Sequence, residues 1–144
     1  MKVTRSARFV PIILAAGFAV GAGAACHAAD VAGTAKLSGD QEVPAVTTTA
    51  NGTGGIVVKA DKSVTGSIKT TGMTGTMAHV HLAEPGKNGP PIITLTKTAD
   101  DTWSIPAGTT LADEQYKSYK DGNLYVNVHS AAHPGGEIRT QLKP

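Results

Sequence analysis

The sequence predicts an all-β domain, an antiparallel β-sandwich or small barrel with one short helix, preceded by an N-terminal signal peptide. Three observations predict it. Short runs that alternate apolar and polar residues recur along the chain, Gly- and Pro-rich turns separate them, and one stretch alone has helical character. At 144 residues the chain has room for one domain and no second core.

Residues 1–29 read as the signal peptide. Lys2, Arg5 and Arg8 form a basic start, Phe9 to Val20 is uncharged and apolar, and small residues follow from Gly21 to Ala29. A membrane anchor is the competing reading, but the run is rich in Gly and Ala and falls short of the roughly 20 strongly apolar residues a span needs. Cleavage is expected between residues 25 and 29. Cys26, the single cysteine, lies in that window. Cleavage before it would leave a lipid-bearing N-terminal cysteine. That variant ranks second, because Gly23 stands where a lipoprotein signal usually has a Leu-like residue. The mature domain, 30–144, then has no cysteine, no disulfide and no thiolate ligand. Its expected place is the periplasm or the medium, with no stable membrane span after cleavage.

Export changes the charge balance. Loss of Lys2, Arg5 and Arg8 takes the basic count from 13 to 10 against 11 acidic residues, so the mature chain is near −1. The pI of about 8.7 for the whole chain is mostly a property of the leader. No basic patch with interleaved aromatics appears, which excludes nucleic acid as an expected partner.

Along the mature chain, Val31 to Leu37 alternates and ends at Ser38-Gly39-Asp40, a strand and a turn. Pro44 cannot donate to a ladder and marks an edge or strand entry. Gly52 to Ala60, the Asp61-Lys62 turn and the alternating Val64, Gly66 and Ile68 form a hairpin pattern with one buried face. Met77 to Leu82 is a short strand. Glu84 to Pro91 is a loop. Ile92 to Thr96 and Thr102 to Ile105 read as strands. Thr110 to Tyr119 is the helix, with Asp113 and Glu114 early and Lys117 and Lys120 late, as the helix dipole favours. On the next strand Leu124, Val126 and Val128 face one way, and Tyr125, Asn127 and His129 the other. After the Pro134-Gly135-Gly136 turn, Ile138, Thr140 and Leu142 alternate with Glu137, Arg139 and Gln141 as a half-buried strand.

Four of the five histidines sit in two places. His79 and His81 are two apart, which on a strand puts both rings on one face, roughly 7 Å apart. His129 leaves the end of another strand, and His133 follows in a loop able to fold back beside it. Neutral imidazoles grouped this way suit a transition metal, copper ahead of zinc where thiolates are missing. The expected metal ligands are His79, His81, His129 and His133. Tyr125 and Asn127 share a face with His129 and are candidates to orient its ring. Glu137 and Arg139 share a face and read as a structural ion pair or cross-strand contact. No serine nucleophile elbow, Gly-rich phosphate loop or acid–base pair of telling spacing is present, so an ordinary hydrolase or kinase is disfavoured and no catalytic residue is expected.

Five ordered blocks carry a family resemblance: Leu37-Ser38-Gly39-Asp40-Gln41-Glu42-Val43-Pro44, Ala78-His79-Val80-His81, Asn88-Gly89-Pro90, Leu124 to His129, and Pro134-Gly135-Gly136-Glu137-Ile138-Arg139. They resemble the CHRD domain, the repeated module of the secreted developmental protein chordin, which also occurs as single exported bacterial domains. The resemblance spans roughly Ala35 to Leu142. Thr140, where the family commonly has Gly, and Ala45, where a second Pro is common, depart from it. It implies an extracytoplasmic Greek-key or immunoglobulin-like domain. The family pattern carries His79, His81 and His129, with Glu42, Glu137 and Arg139 as its charged positions. A second likeness is local: His79-Val80-His81 looks like the copper-binding strand of copper/zinc superoxide dismutases. The bridging-histidine loop, zinc loop and disulfide of that family are missing, so dismutase chemistry is not expected.

Two functions follow from these residues, and a third, an oxidoreductase using the metal, would need an open coordination position. One is a non-catalytic metal-binding domain that sequesters or handles copper. The other is an envelope module recognising a protein or glycan, with structural histidines and a thin aromatic set of Trp103, Tyr116, Tyr119 and Tyr125.

Overall fold

The computed structural model describes residues 34–144; the leader, its cleavage window and Cys26 lie outside the described residues. The elements are, in order, β1 (Ala35–Ser38), β2 (Asn51–Val58), β3 (Val64–Thr71), β4 (Gly75–Leu82), β5 (Pro91–Thr94), β6 (Thr96–Ala99), β7 (Thr102–Ser104), α1 (Asp113–Lys120), β8 (Leu124–Ser130) and β9 (Ile138–Gln141). A single 3₁₀ turn, Gly39–Gln41, follows β1.

All strand pairs are antiparallel, and they form one sheet in the order β5-β4-β8-β9-β1-β2-β3-β7-β6. The two outermost strands of that order are consecutive in the chain, with Leu95 alone between them. The margins of the sheet are therefore tied together, and the sheet curls into a near-barrel. The all-β antiparallel class and, among the described residues, the one short helix are as the sequence predicts, and the arrangement is close to the small barrel. Leu95 also explains a difference in detail. Ile92 to Thr96 reads as one strand, but Leu95 is buried and its amide donates to the Ala78 carbonyl at 2.9 Å, so the run divides there.

The core follows the alternation. Leu124, Val126 and Val128 are fully buried, together with Ala78, Val80, Ile68, Leu37 and Ile138. At about 25 cal/mol per Å² of apolar surface, this contiguous cluster supplies the main folding drive of a domain without disulfides. The helix begins later than its residue pattern predicts. Thr110 bridges Ser63, and the Leu111 amide donates to the Lys62 carbonyl at 2.9 Å. Those two residues are drawn into sheet-like pairing, and α1 starts at Asp113.

One expectation needs correcting. The last strand is expected to be half-buried, but Ile138, Arg139 and Thr140 are all buried, Arg139 to 2% exposure, and every residue of the neighbouring β8 is buried as well. The sheet carries a second interior there, a polar one. Its cover comes from the segment after β1 and the loop after β4. The Asn88 amide bridges them, donating to the Val43 carbonyl at 2.6 Å while its Oδ1 accepts from Arg139 Nη1 at 3.2 Å.

The two interiors rank the expected effects of substitution. Ile68→Ala in the apolar core should cost about 2–5 kcal/mol of stability. Lys87→Ala, in the exposed loop, should stay within about 0.5 kcal/mol. Urea unfolding of both variants beside wild type measures the difference.

Candidate metal centre

Strand register puts the histidines together. Across β4 and β8, His79 lies opposite Asn127, His81 opposite Tyr125 and Met77 opposite His129. Residues directly opposite in an antiparallel pair project from the same face with their Cβ atoms roughly 5 Å apart. The face continues onto β9, where Arg139 lies opposite Asn127 and Gln141 opposite Tyr125. Val80 and Val126, on the other face, pack the core. The alternation that buries the valines thus gathers His79, His81 and His129 in the polar interior. Each offers a ligand atom, and these lie within 4.8 Å of one another.

Backbone carbonyls fix two of the rings. His81 Nδ1 donates to the Gly89 carbonyl at 2.9 Å, and His129 Nδ1 donates to the Pro134 carbonyl at 2.9 Å. A carbonyl can only accept, so the proton of each neutral ring is on Nδ1, and Nε2 keeps its lone pair. This is the arrangement by which metal-binding histidines are oriented and made more basic. His81 Nε2 is buried with no hydrogen-bond partner. His129 Nε2 accepts a hydrogen bond from His79 Nδ1 at 3.1 Å. Two nitrogens bound tetrahedrally to one ion at about 2.0 Å stand roughly 3.3 Å apart, so this pair already has the spacing of shared ligands.

Aromatic packing holds His81 from the side. Its ring stacks on Tyr125 with centroids 4.7 Å apart and planes 4° from parallel. Arg139 lies over the same Tyr125 ring at 3.4 Å, and β8 runs between β4 and β9, so the tyrosine separates cation from imidazole. Gly89 has a specific part in this. A Cβ there would collide with the Leu82 carbonyl oxygen, so only glycine lets the loop pass close enough to deliver its carbonyl to His81.

Electrostatics favour neutral rings. Burial pushes the His79 pKa below its ordinary value, and the neighbouring His129 and His81 add to the shift. Burial also lowers His81, against the opposing pull of the Gly89 carbonyl. Neutral imidazole is the form that ligates a metal. Deeper in the face, burial raises the Glu42 carboxyl, and Arg139 and Asn127 only partly offset this. Glu42 Oε1 and Asn127 Oδ1 are buried acceptors without a donor. Gly136 is open enough for both to approach: a Cβ there would lie 2.5 Å from Glu42 Oε1 and 2.6 Å from Asn127 Nδ2.

Two expectations take a different form. His133 is not in the group of three. Its turn presents backbone to His129, through the Pro134 carbonyl, and His133 lines a cleft of about 420 Å³ with Glu42, Pro44, Asn88 and Gly136. Glu137 and Arg139 are not an ion pair. Among the described residues the ion pairs are Lys62–Asp113, Lys69–Asp101 and Lys117–Asp121. Burial pushes the Glu137 carboxyl up, but bonds from Ser130 and from Thr48 Oγ1, the latter at 2.6 Å, together with nearby His133, hold it below the usual range. Arg139 instead binds Asn88 and stacks on Tyr125. Another cleft, of about 860 Å³, is lined by Lys36, Lys59 and Lys143 and by none of these histidines.

The carbonyls of Gly89 and Pro134 are the site partners that residue types do not reveal, since every residue has a carbonyl. Their one signal was that both lie in motif blocks of the resemblance. The CHRD domain family matches residues 33–142 of the chain. No curated protein and no solved structure matches it.

Two outcomes are expected. Gly89→Ala should displace the loop, strip His81 of its acceptor and cost about 1–3 kcal/mol in thermal or urea melts. For metal-free protein, the sign of the pH effect follows from the lowered His79 and His81 pKa values. Folding disfavours their protonated forms, so stability is full above the ordinary histidine value of 6.5 and declines as pH falls below it. Melts of wild type and His81→Gln across that range should show the smaller decline in the variant.

Proposed function

The chain belongs to the CHRD-domain family, and for this member we propose a non-catalytic metal-binding role in which His79, His81 and His129 hold one transition-metal ion, copper, for sequestration or handling outside the cytoplasm. The observation that carries the reading is the buried, partnerless Nε2 of His81 beside two further imidazoles. A bare acceptor inside a protein costs about 1–3 kcal/mol, and a bound cation is the natural group to offset that cost here. The donors are neutral nitrogen atoms, which suit late first-row metals, and copper stands highest in the stability order for such sites. The mid-sheet position gives rigid ligands, with His79 half-buried as the way in.

The leader pattern of residues 1–29 supports an address in the periplasm or the medium. Among the described residues no helix is long and apolar enough to cross a membrane. The reading of the domain as a protein- or glycan-recognition module draws less support, because Trp103, Tyr119 and Tyr125, three of its four aromatic anchors, are buried.

Calorimetric titration of metal-free protein with copper and with zinc tests the proposal. Wild type should bind one ion. His81→Ala and His129→Ala should each lose at least about tenfold in affinity, and His133→Ala should bind as wild type does. Equal weak binding by all four proteins would refute the site.

A further inference from the structure

Met77 is the one large apolar side chain exposed among the described residues, at 48%. It is two residues before His79 on the same strand face, and it stands directly opposite His129 in the β4–β8 ladder. The ladder shifts register between Gly75 and Met77, leaving Thr76 as the extra residue. Thr76 Oγ1 donates to the His129 carbonyl at 3.3 Å, which ties this bulge to the histidine strand. Bulges re-aim the side chains beside them. Here the result is an exposed thioether side chain on the strand face that carries the imidazoles, where its burial against the core is forgone.

We propose that Met77 is a ligand of this site, its sulfur completing the donor set and giving the site a preference for monovalent copper over zinc. The inference rests on the metal-site reading above. Directly opposite Cβ atoms lie about 5 Å apart, and three rotatable side-chain bonds let the Met77 sulfur cover the remaining distance to an ion held by His129 and His79. Thioether is a soft ligand that suits monovalent copper and adds little for zinc. Other donors are committed elsewhere. Glu137 accepts from Thr48, His133 lines the Glu42 cleft, and the carboxylates of the described residues are not part of the ligand group.

The test compares wild type, Met77→Leu and His81→Ala. Each is titrated with monovalent copper against a competing chelator and, separately, with zinc. X-ray absorption of the copper-loaded proteins reads the ligand atoms directly. Met77→Leu keeps size and apolarity at an exposed position, so its melting curve should match wild type. Its affinity for monovalent copper should fall at least about tenfold, while its zinc affinity changes less than about twofold. A copper–sulfur contribution should be present in wild type and lost in the variant. If Met77→Leu binds copper as wild type does and no sulfur contribution is seen, the proposal falls while the three-histidine site stands on the His81→Ala result. If wild type binds neither metal, the underlying reading falls with it.

Discussion

Val80 faces Val126, and Ala78 faces Val128, on the apolar side of the β4–β8 pair. From that pairing every side chain on the polar side takes its position. The valines are fully buried, so a slip of one residue would turn them out of the core and bury the histidines among aliphatic groups. Hydrophobic packing on one face therefore sets the geometry of imidazoles on the other. The second control comes from outside the ladder. Two loops, one carrying Gly89 and one carrying Pro134, each bring a carbonyl to a ring that the ladder has already placed.

The polar interior is costly by the usual rules. It holds an arginine at 2% exposure, a glutamate at 7% and an asparagine at 2%, with acceptors that lack donors. A chain selected for stability alone would fill this space with aliphatic side chains. Among the described residues, three of the four buried side-chain atoms without partners, on Glu42, His81 and Asn127, belong to this one region. Local rules fail together at this one place, in a fold consistent elsewhere, which is the pattern that singles it out as the candidate site. Arg139 is tolerable there because it lies flat on Tyr125 and is bonded to Asn88.

Much of this was legible in the residues. The strand periodicity of Val64 to Ile68 and of Leu124 to His129 gives β3 and β8, and the His-Val-His spacing gives two rings on one face. The burial of the second face was not legible. Alternation distinguishes the two sides of a strand but does not say whether loops cover the polar one, and the covering here depends on long-range contacts such as Asn88 to Val43. The fate of His133 was equally hidden, since a turn may aim a side chain toward or away from its neighbour. In the sequence Met77 only begins the strand that carries His79 and His81. Only the ladder register, which no local pattern specifies, puts it across from His129.

The junction at Leu95 has a consequence for how these molecules coexist. An open sheet ends in a row of unpaired amides and carbonyls, a template on which another chain can add a strand. Here the two marginal strands are short, four residues each, and are bound to each other by a single residue. Pro91, without an amide hydrogen, begins one of them. The strand that carries His79 and His81 is thereby shielded from recruitment by a neighbour. Both sides of β4 are already paired, with β5 and β8, so a neighbouring copy finds no free ladder on the strand that carries the two histidines.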